Sequence, residues 1–171
     1  ALPGTLFQVR AAIDAGGETV YQVETRDYPC GGEAVCFVPE RFLQNVSASK
    51  SERLMTLDSA EEILGRMRAW EGLPYVWGGN VPDGVPGVLS YFSVRPDDPQ
   101  ELLDQWMLKG LDCSGLLYAA SDGWTPRNTS MLVDYDRAVA VEGLSEDEIV
   151  LAVRPLDVIV WKGHVVIVLD E

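Results

Sequence analysis

The sequence predicts an α+β fold with a β-rich start, helices in the middle and an antiparallel hairpin near the end. Short runs of β-branched and aromatic residues, separated by glycines, fill residues 1–46. A capped amphipathic helical pattern begins at Ser59, and two apolar runs flank Lys162-Gly163. The 171 residues fit one ordinary domain, or one domain with a small appendage.

Composition restricts the class of protein. Hydrophobic residues make up 47% of the chain, which is enough for a substantial core and excludes wholesale disorder. Thirteen basic residues stand against 27 acidic ones, giving a net charge of −14. Because nucleic acids and anionic membranes need a basic patch, we expect neither as a partner. The chain has no apolar run of roughly 20 residues and no signal-peptide pattern, so we expect a soluble protein without a membrane span, or the mature part of an exported one.

Cysteine and histidine usage gives no support to metal chemistry. Cys30 and Cys36 lie close enough in sequence to pair, leaving Cys113 free, although short spacing alone does not establish bonding geometry. One histidine and three dispersed cysteines offer no chelating spacing, so we expect no metal. Gly78-Gly79 lacks the partners of a phosphate loop, and we expect no cofactor.

Residues 1–46 are predicted to form three short strands. These lie at 6–9, 19–25 and 34–39, and Gly16-Gly17 provides the first turn. Such strands with glycine turns suggest a small barrel or half of one. Residues 19–43 resemble the later strands of a bacterial SH3-like domain, and an ordinary β-hairpin appendage is the alternative.

A polar linker is predicted at 47–58, and a helix follows it. Ser59 and Glu62 match a capping box, so the helix should begin there. Its apolar residues recur at helical spacing over about three turns and are expected in the core. They are Ile63, Met67 and Trp70.

The next stretch, residues 72–80, combines a proline that ends the helix with two alternating aromatic residues and a glycine pair. Taken alone, it predicts a strand and a turn in which Tyr75 and Trp77 are half-buried. Gly78-Gly79 allows another part of the backbone to approach closely. After a loop at 81–96, Asp98 and Pro99 are predicted to open a helix that Gly110 closes.

Cys113 stands between Asp112 and Ser114, at the start of an apolar helical run. The first N–H groups of a helix lack intrahelical partners, and the helix dipole is positive at that end. Both effects would stabilise a thiolate at Cys113, the form of cysteine that reacts. The alternative is a small buried hydrophobic residue.

His164 is the only histidine, and it opens the second of two apolar runs, 157–161 and 164–169. The Lys162-Gly163 pair between them predicts a tight antiparallel hairpin buried in a sheet. A cysteine nucleophile needs an adjacent base, and His164 is the one imidazole that can provide it. A surface or packing histidine is the alternative reading of this residue.

Five motifs follow one another along residues 59–171: Pro74-Tyr75-Val76-Trp77-Gly78-Gly79, Asp112-Cys113-Ser114-Gly115-Leu116, Pro126-Arg127-Asn128-Thr129-Ser130, Pro155-Leu156-Asp157-Val158-Ile159-Val160-Trp161 and Gly163-His164-Val165. In this order they resemble the NlpC-type family of bacterial cell-wall cysteine peptidases. The resemblance implies a papain-like core, in which the cysteine-bearing helix packs on an antiparallel sheet that carries the histidine. It makes 59–171 the peptidase domain.

By this resemblance Cys113 is the nucleophile, and His164 is the general base that later acts as general acid. Family members typically hydrolyse the γ-D-glutamyl to diamino-acid bond of peptidoglycan stem peptides through an acyl-enzyme. The implied partner is peptidoglycan or a muropeptide. The implied place of action is the cell envelope, the periplasm or the outside of the cell, with muropeptide recycling in the cytoplasm as the alternative.

The resemblance also implies four substrate-binding residues. Tyr75 would donate a hydrogen bond to the substrate or to the oxyanion. Asp112 and Ser114 would receive the amino end of the substrate, and Ser130 would meet its carboxylate. A carboxylate can fix an ammonium group, which agrees with the role implied for Asp112.

Two departures from the family pattern stand out. Residues 81–110 form an insertion that would narrow substrate choice or act as a lid. The family's third polar residue, which orients the histidine, lies on the strand after it, whereas this chain ends at Glu171, seven residues past His164. Asp170 and Glu171 are the polar residues that remain, and we expect a C-terminal truncation.

Two other functions fit the same motifs. One is a cell-wall-binding protein whose papain-like part is inactive for want of its third residue. The other is an acyltransferase that uses the same cysteine and histidine to transfer an acyl group to a lipid or an amine.

Overall fold

The computed structural model describes residues 1–25, 35–44, 57–135 and 138–170. Within them helices combine with small antiparallel sheets, and the predicted α+β class is confirmed at that level. Most of the linker predicted at 47–58 lies outside the described residues. No helix in these ranges is long and apolar enough to span a membrane.

The N-terminal sheet contains β1 (Gln8–Asp14), β2 (Thr19–Glu24) and β3 (Cys36–Pro39) in that order, all antiparallel. The first strand was expected at 6–9, but β1 extends to Asp14. The turn that follows it sets which residues of β1 and β2 are paired. Gly17 donates its N–H to the Asp14 carboxylate (2.8 Å), so pairing continues up to that residue.

The disulfide considered for Cys30 and Cys36 falls partly outside the described residues, because Cys30 is not among them. Cys36 is disulfide-bonded, and Cys113 is a free thiol. The thiol at the centre of the motif pattern is therefore available for reaction.

Helix α1 (Ala60–Ala69) begins at the predicted capping box. The Ser59 hydroxyl accepts the N–H of Glu62, and the Glu62 carboxylate accepts the N–H of Ser59 (2.9 Å). The helix buries Ile63, Leu64 and Met67.

The hydrophobic core lies between α1, α3 (Cys113–Ala120), α4 (Thr129–Leu132) and the C-terminal hairpin. Its buried members are Ile63, Met67, Leu117, Ala120, Leu132 and Val165. A further helix, α5 (Glu146–Ala152), begins at a capping box formed by Ser145 and Glu148.

The predicted hairpin is present, with β6 (Val158–Trp161) antiparallel to β7 (His164–Ile167) and Lys162-Gly163 as the turn. The expectation that it is buried in a sheet is wrong for the described part of the chain. There β6 and β7 form a sheet of two strands, with one face against the core and the other in solvent. Alternation of side chains across the strands places Val165 inside and Val166 outside.

The insertion at 81–110 begins and ends in one short sheet, in which β4 (Asn80–Val81) pairs with β5 (Gly110–Leu111). Between them lie a 3-10 helix (Pro86–Tyr91) and α2 (Gln100–Trp106). The predicted helix is shorter than expected, since it ends at Trp106 and Gly110 belongs to β5. Asp98 is not its cap, because the carboxylate accepts the N–H of Arg95 instead (2.7 Å).

The N-terminal sheet packs on this insertion. Arg41, just after β3, ion-pairs with Glu18 (2.5 Å), hydrogen-bonds to the Ser90 hydroxyl (2.5 Å) and lies 4.1 Å above the Tyr91 ring. Tyr91 also contacts Phe42, with ring centroids 6.0 Å apart. The insertion thus joins the N-terminal sheet to the body that carries Cys113.

Candidate active site

A cavity of about 560 Å³ opens beside the start of α3. Its lining includes five of the residues singled out from the sequence: Tyr75, Asp112, Cys113, Ser114 and Ser130. They come from three separate parts of the chain, and the fold brings them to one place. Their chemical roles stay predictions.

Cys113 occupies the first position of α3 because Asp112 caps the helix. The Asp112 carboxylate accepts the N–H of Gly115 (2.6 Å), and Asp112 itself has an extended backbone. The Cys113 side chain is partly buried against the core cluster. The thiol therefore lies at the positive end of the helix and on the cavity wall.

Tyr75 lies beside Cys113 on the cavity wall, and at 62% exposure it is more open than the half-buried residue expected from the sequence. Desolvation, together with negative charge on Cys113 and Asp112, raises the pKa of Tyr75. The phenol consequently keeps its proton at neutral pH and can act as a hydrogen-bond donor.

Arg127 is a site residue that the sequence reasoning did not single out. It is 9% exposed, and its two terminal nitrogens bind both oxygens of Asp112, at 3.0 and 2.8 Å. It also donates to the Ser114 hydroxyl (2.9 Å) and to the Gly79 carbonyl (3.2 Å). Arg127 therefore connects the two neighbours of Cys113, Asp112 and Ser114, with the Gly78-Gly79 turn.

The Asp112 carboxylate accepts several hydrogen bonds from inside the protein. Besides Arg127 and Gly115, its carboxylate accepts the N–H of Gly78 (2.9 Å). Burial raises the pKa of Asp112, but the hydrogen bonds from Arg127 and Gly115 outweigh this effect and the pKa lies below its usual 3.8. Any substrate ammonium would have to share this carboxylate with Arg127.

The predicted close approach at Gly78-Gly79 is confirmed. The Asp112 N–H donates to the Gly79 carbonyl (3.0 Å), so the turn lies directly against the start of α3. A Cβ atom on Gly115 would be 2.0 Å from that carbonyl oxygen, well inside contact distance. Only a residue without a side chain fits at Gly115.

His164 is the one predicted site residue that the described lining of the cavity does not include. Its strand packs on α3, with Val165 and Leu117 in one core cluster, and its neighbour Gly163 lines the cavity. Gly163 also donates its N–H to the Thr129 hydroxyl (3.2 Å). Among the hydrogen bonds of the described residues none joins His164 to Cys113, and the imidazole contacts the Trp161 ring instead (centroids 5.2 Å apart).

The two acidic residues at the end of the chain do not provide a partner for His164 in the described structure. Asp170 ion-pairs with Arg68 of α1, and Glu171 lies outside the described residues. The orienting residue that the family pattern implies is thus not identified among residues 138–170.

The insertion at 81–110 contributes nothing to the described lining of this cavity. Its outward contacts are with the N-terminal sheet, through Ser90 and Tyr91. This placement favours a connecting role over the expected lid. In the same ranges, no group of three or more His, Cys, Asp or Glu residues is placed to hold a metal ion.

Comparisons with protein-family models, curated proteins and solved structures give no match for this chain. The resemblance to NlpC-type peptidases therefore rests on the motifs alone and stays a prediction.

Proposed function

We propose that the chain is a cysteine peptidase that hydrolyses peptidoglycan stem peptides, with the γ-D-glutamyl to diamino-acid bond as its target. One observation carries the proposal: a free thiol at the first position of α3 faces a cavity of about 560 Å³ next to a protonated phenol. The packing of α3 on the β6–β7 hairpin is the arrangement expected of a papain-like core.

In the first half of the reaction the Cys113 thiolate attacks the carbonyl carbon of the scissile amide. The oxygen becomes an oxyanion, and it takes hydrogen bonds from the backbone N–H of Cys113 and the hydroxyl of Tyr75. His164, charged after taking the thiol proton, returns that proton to the leaving amine. The C–N bond breaks, and the product is a thioester on Cys113.

In the second half water replaces the leaving amine. His164 removes a proton from the water, whose oxygen attacks the thioester carbon. Collapse of the second tetrahedral intermediate breaks the C–S bond and releases the acid, and the thiolate is restored. Ser130 lines the cavity, and a hydroxyl can donate a hydrogen bond to a substrate carboxylate.

The deciding experiment uses L-alanyl-γ-D-glutamyl-diaminopimelate as substrate and mass spectrometry of the products. The unmodified protein should release diaminopimelate, and Cys113→Ala should release none while it unfolds at an unchanged temperature. Cys113→Ser, which keeps the shape but is a poor nucleophile, serves as the matched variant. Turnover by Cys113→Ala, or none by the unmodified protein, would reject the proposal. A free amine added as acceptor tests acyl transfer, since a transferase would form the amide in place of the acid.

A catalytically inactive wall-binding protein is the second candidate. The observation that favours it is that the described residues show no hydrogen bond between His164 and Cys113. The rate of Cys113 alkylation against pH separates the two. A reactive thiolate already present at acidic pH supports the peptidase, whereas the profile of an ordinary thiol supports the binder.

A further inference from the structure

His164 is held by an aromatic contact. Its ring centroid lies 5.2 Å from that of Trp161, and the planes are inclined by 60° in an edge-to-face arrangement. Aromatic rings prefer this geometry over face-to-face stacking. Among the described residues, no hydrogen bond fixes either nitrogen of the imidazole.

The contact follows from the register of the hairpin. Trp161 and His164 are directly paired, one on each side of the Lys162-Gly163 turn, so their side chains project from the same face. The turn itself is attached to α4, since the Gly163 N–H donates to the Thr129 hydroxyl. The two rings therefore lie side by side next to the turn residue Gly163, which lines the cavity, although neither ring belongs to the described lining.

Trp161 is not used as a core residue. Its side chain is 51% exposed, and the buried face of the hairpin consists of other residues, among them Val165. A large indole left half in solvent gains only part of the stabilisation that full burial would give. Its ring contact within the described residues is with the one imidazole of the chain.

We propose that Trp161 is the positioning residue of His164, taking the role that a polar partner has in other Cys-His sites. A base must present one particular ring nitrogen to the thiol, and an unrestrained imidazole rotates about its Cβ–Cγ bond and exchanges its two nitrogens. The indole beside the imidazole hinders this rotation, because the turning ring would meet it. The catalytic consequence rests on the proposed peptidase function, but the orientation of the ring does not.

The orientation is measurable without activity. The chain has a single histidine, so its NMR spectrum contains one set of imidazole signals. In the unmodified protein the indole ring current should shift these signals from their random-coil positions. Trp161→Leu should move them most of the way back, and Trp161→Phe, which keeps an aromatic ring, should retain much of the shift. Trp124→Leu, the same change at another partly exposed tryptophan, is the matched control and should leave them unchanged.

Kinetics on the stem peptide give the second readout. Trp161→Leu should lower kcat about three- to tenfold with KM unchanged, which is the factor carried by an aromatic pair of ordinary strength. Trp161→Phe should restore most of the rate. Imidazole signals that stay in place in Trp161→Leu, or a kcat equal to that of the unmodified protein, overturn the proposal. If no variant turns over substrate but the signals move as expected, the peptidase function fails and the positioning role stands.

Discussion

The two sides of the candidate reactive centre are built differently. On the cysteine side, the buried ion pair between Arg127 and Asp112 and the close contact between Gly79 and Gly115 fix the residues before and after Cys113. On the histidine side, a hairpin of two described strands holds His164 by packing on one face and by one ring contact. The difference indicates that the position of Cys113 is fixed by the folded core, whereas the position of His164 depends on fewer contacts.

The two kinds of contact also differ in strength. Truncating one partner of a buried ion pair costs about 3–5 kcal/mol, because the other charge is left without compensation. An aromatic pair contributes about 0.5–1.5 kcal/mol beyond the area it buries. A substitution on the cysteine side should therefore lower the stability of the whole fold. A substitution on the histidine side should change only the site.

The largest effect is expected for Arg127→Met. It leaves the Asp112 carboxylate buried without its counter-charge, so the free energy of unfolding in urea should fall by about 3–5 kcal/mol. The double variant Asp112→Asn/Arg127→Met removes both charges and should recover part of this loss. A loss below about 1 kcal/mol in Arg127→Met would show that the pair behaves like a surface ion pair.

Gly115→Ala tests the backbone contact on the same side. The added methyl group would lie 2.0 Å from the Gly79 carbonyl oxygen, and the strain should cost about 1–3 kcal/mol of unfolding free energy. Gly65→Ala in α1 is the matched control, since open space surrounds that position. There the same substitution should stabilise the protein by about 0.5–1 kcal/mol. Equal effects at both positions would contradict the close contact.

Lowering the pH should reduce the free energy of unfolding, and part of this reduction should depend on Asp112. Because the pKa of Asp112 is lowered in the folded protein, its ionised form stabilises the fold above 3.8, and this contribution is lost as the pH falls through the folded-state pKa. The free energy of unfolding, followed from about pH 5 downward, should decline more steeply in the unmodified protein than in Asp112→Asn. Parallel curves would show that Asp112 is not responsible.

The smallest effect is expected away from the site, at the contact between the N-terminal sheet and the insertion. Arg41 and Glu18 are partly exposed, so Arg41→Gln should lower the unfolding free energy by no more than about 1 kcal/mol. Added salt should reduce the difference, because exposed charges are screened. A loss as large as that of Arg127→Met would remove the distinction between buried and exposed ion pairs in this chain.

Local features of the fold could be predicted from the sequence, because their signals lie within a few residues. The capping box at Ser59 and Glu62, the helix after Asp112 and the Lys162-Gly163 turn are of this kind, and the structure confirms them. The absence of an Asp98 cap at the start of α2 was missed because hydrogen bonding of Asp98 to Arg95 competed with capping.

The candidate site required information that the sequence does not carry locally. A buried carboxylate at Asp112 calls for a cation, but the pattern could not show that Arg127, 15 residues away, supplies it. The exposed outer face of the hairpin was missed because continuous apolar runs predict strands buried on both faces. Which faces are covered depends on long-range packing.

The short sheet at the base of the insertion has a consequence for how this chain can vary. Val81 and Gly110 are paired neighbours, so the polypeptide leaves the body and returns to it at one point. A segment attached in this way can be replaced by another of different length without altering the path of the chain through the core. The segment between Val81 and Gly110 is therefore the exchangeable part of the chain, and the paired strands β4 and β5 mark its boundary.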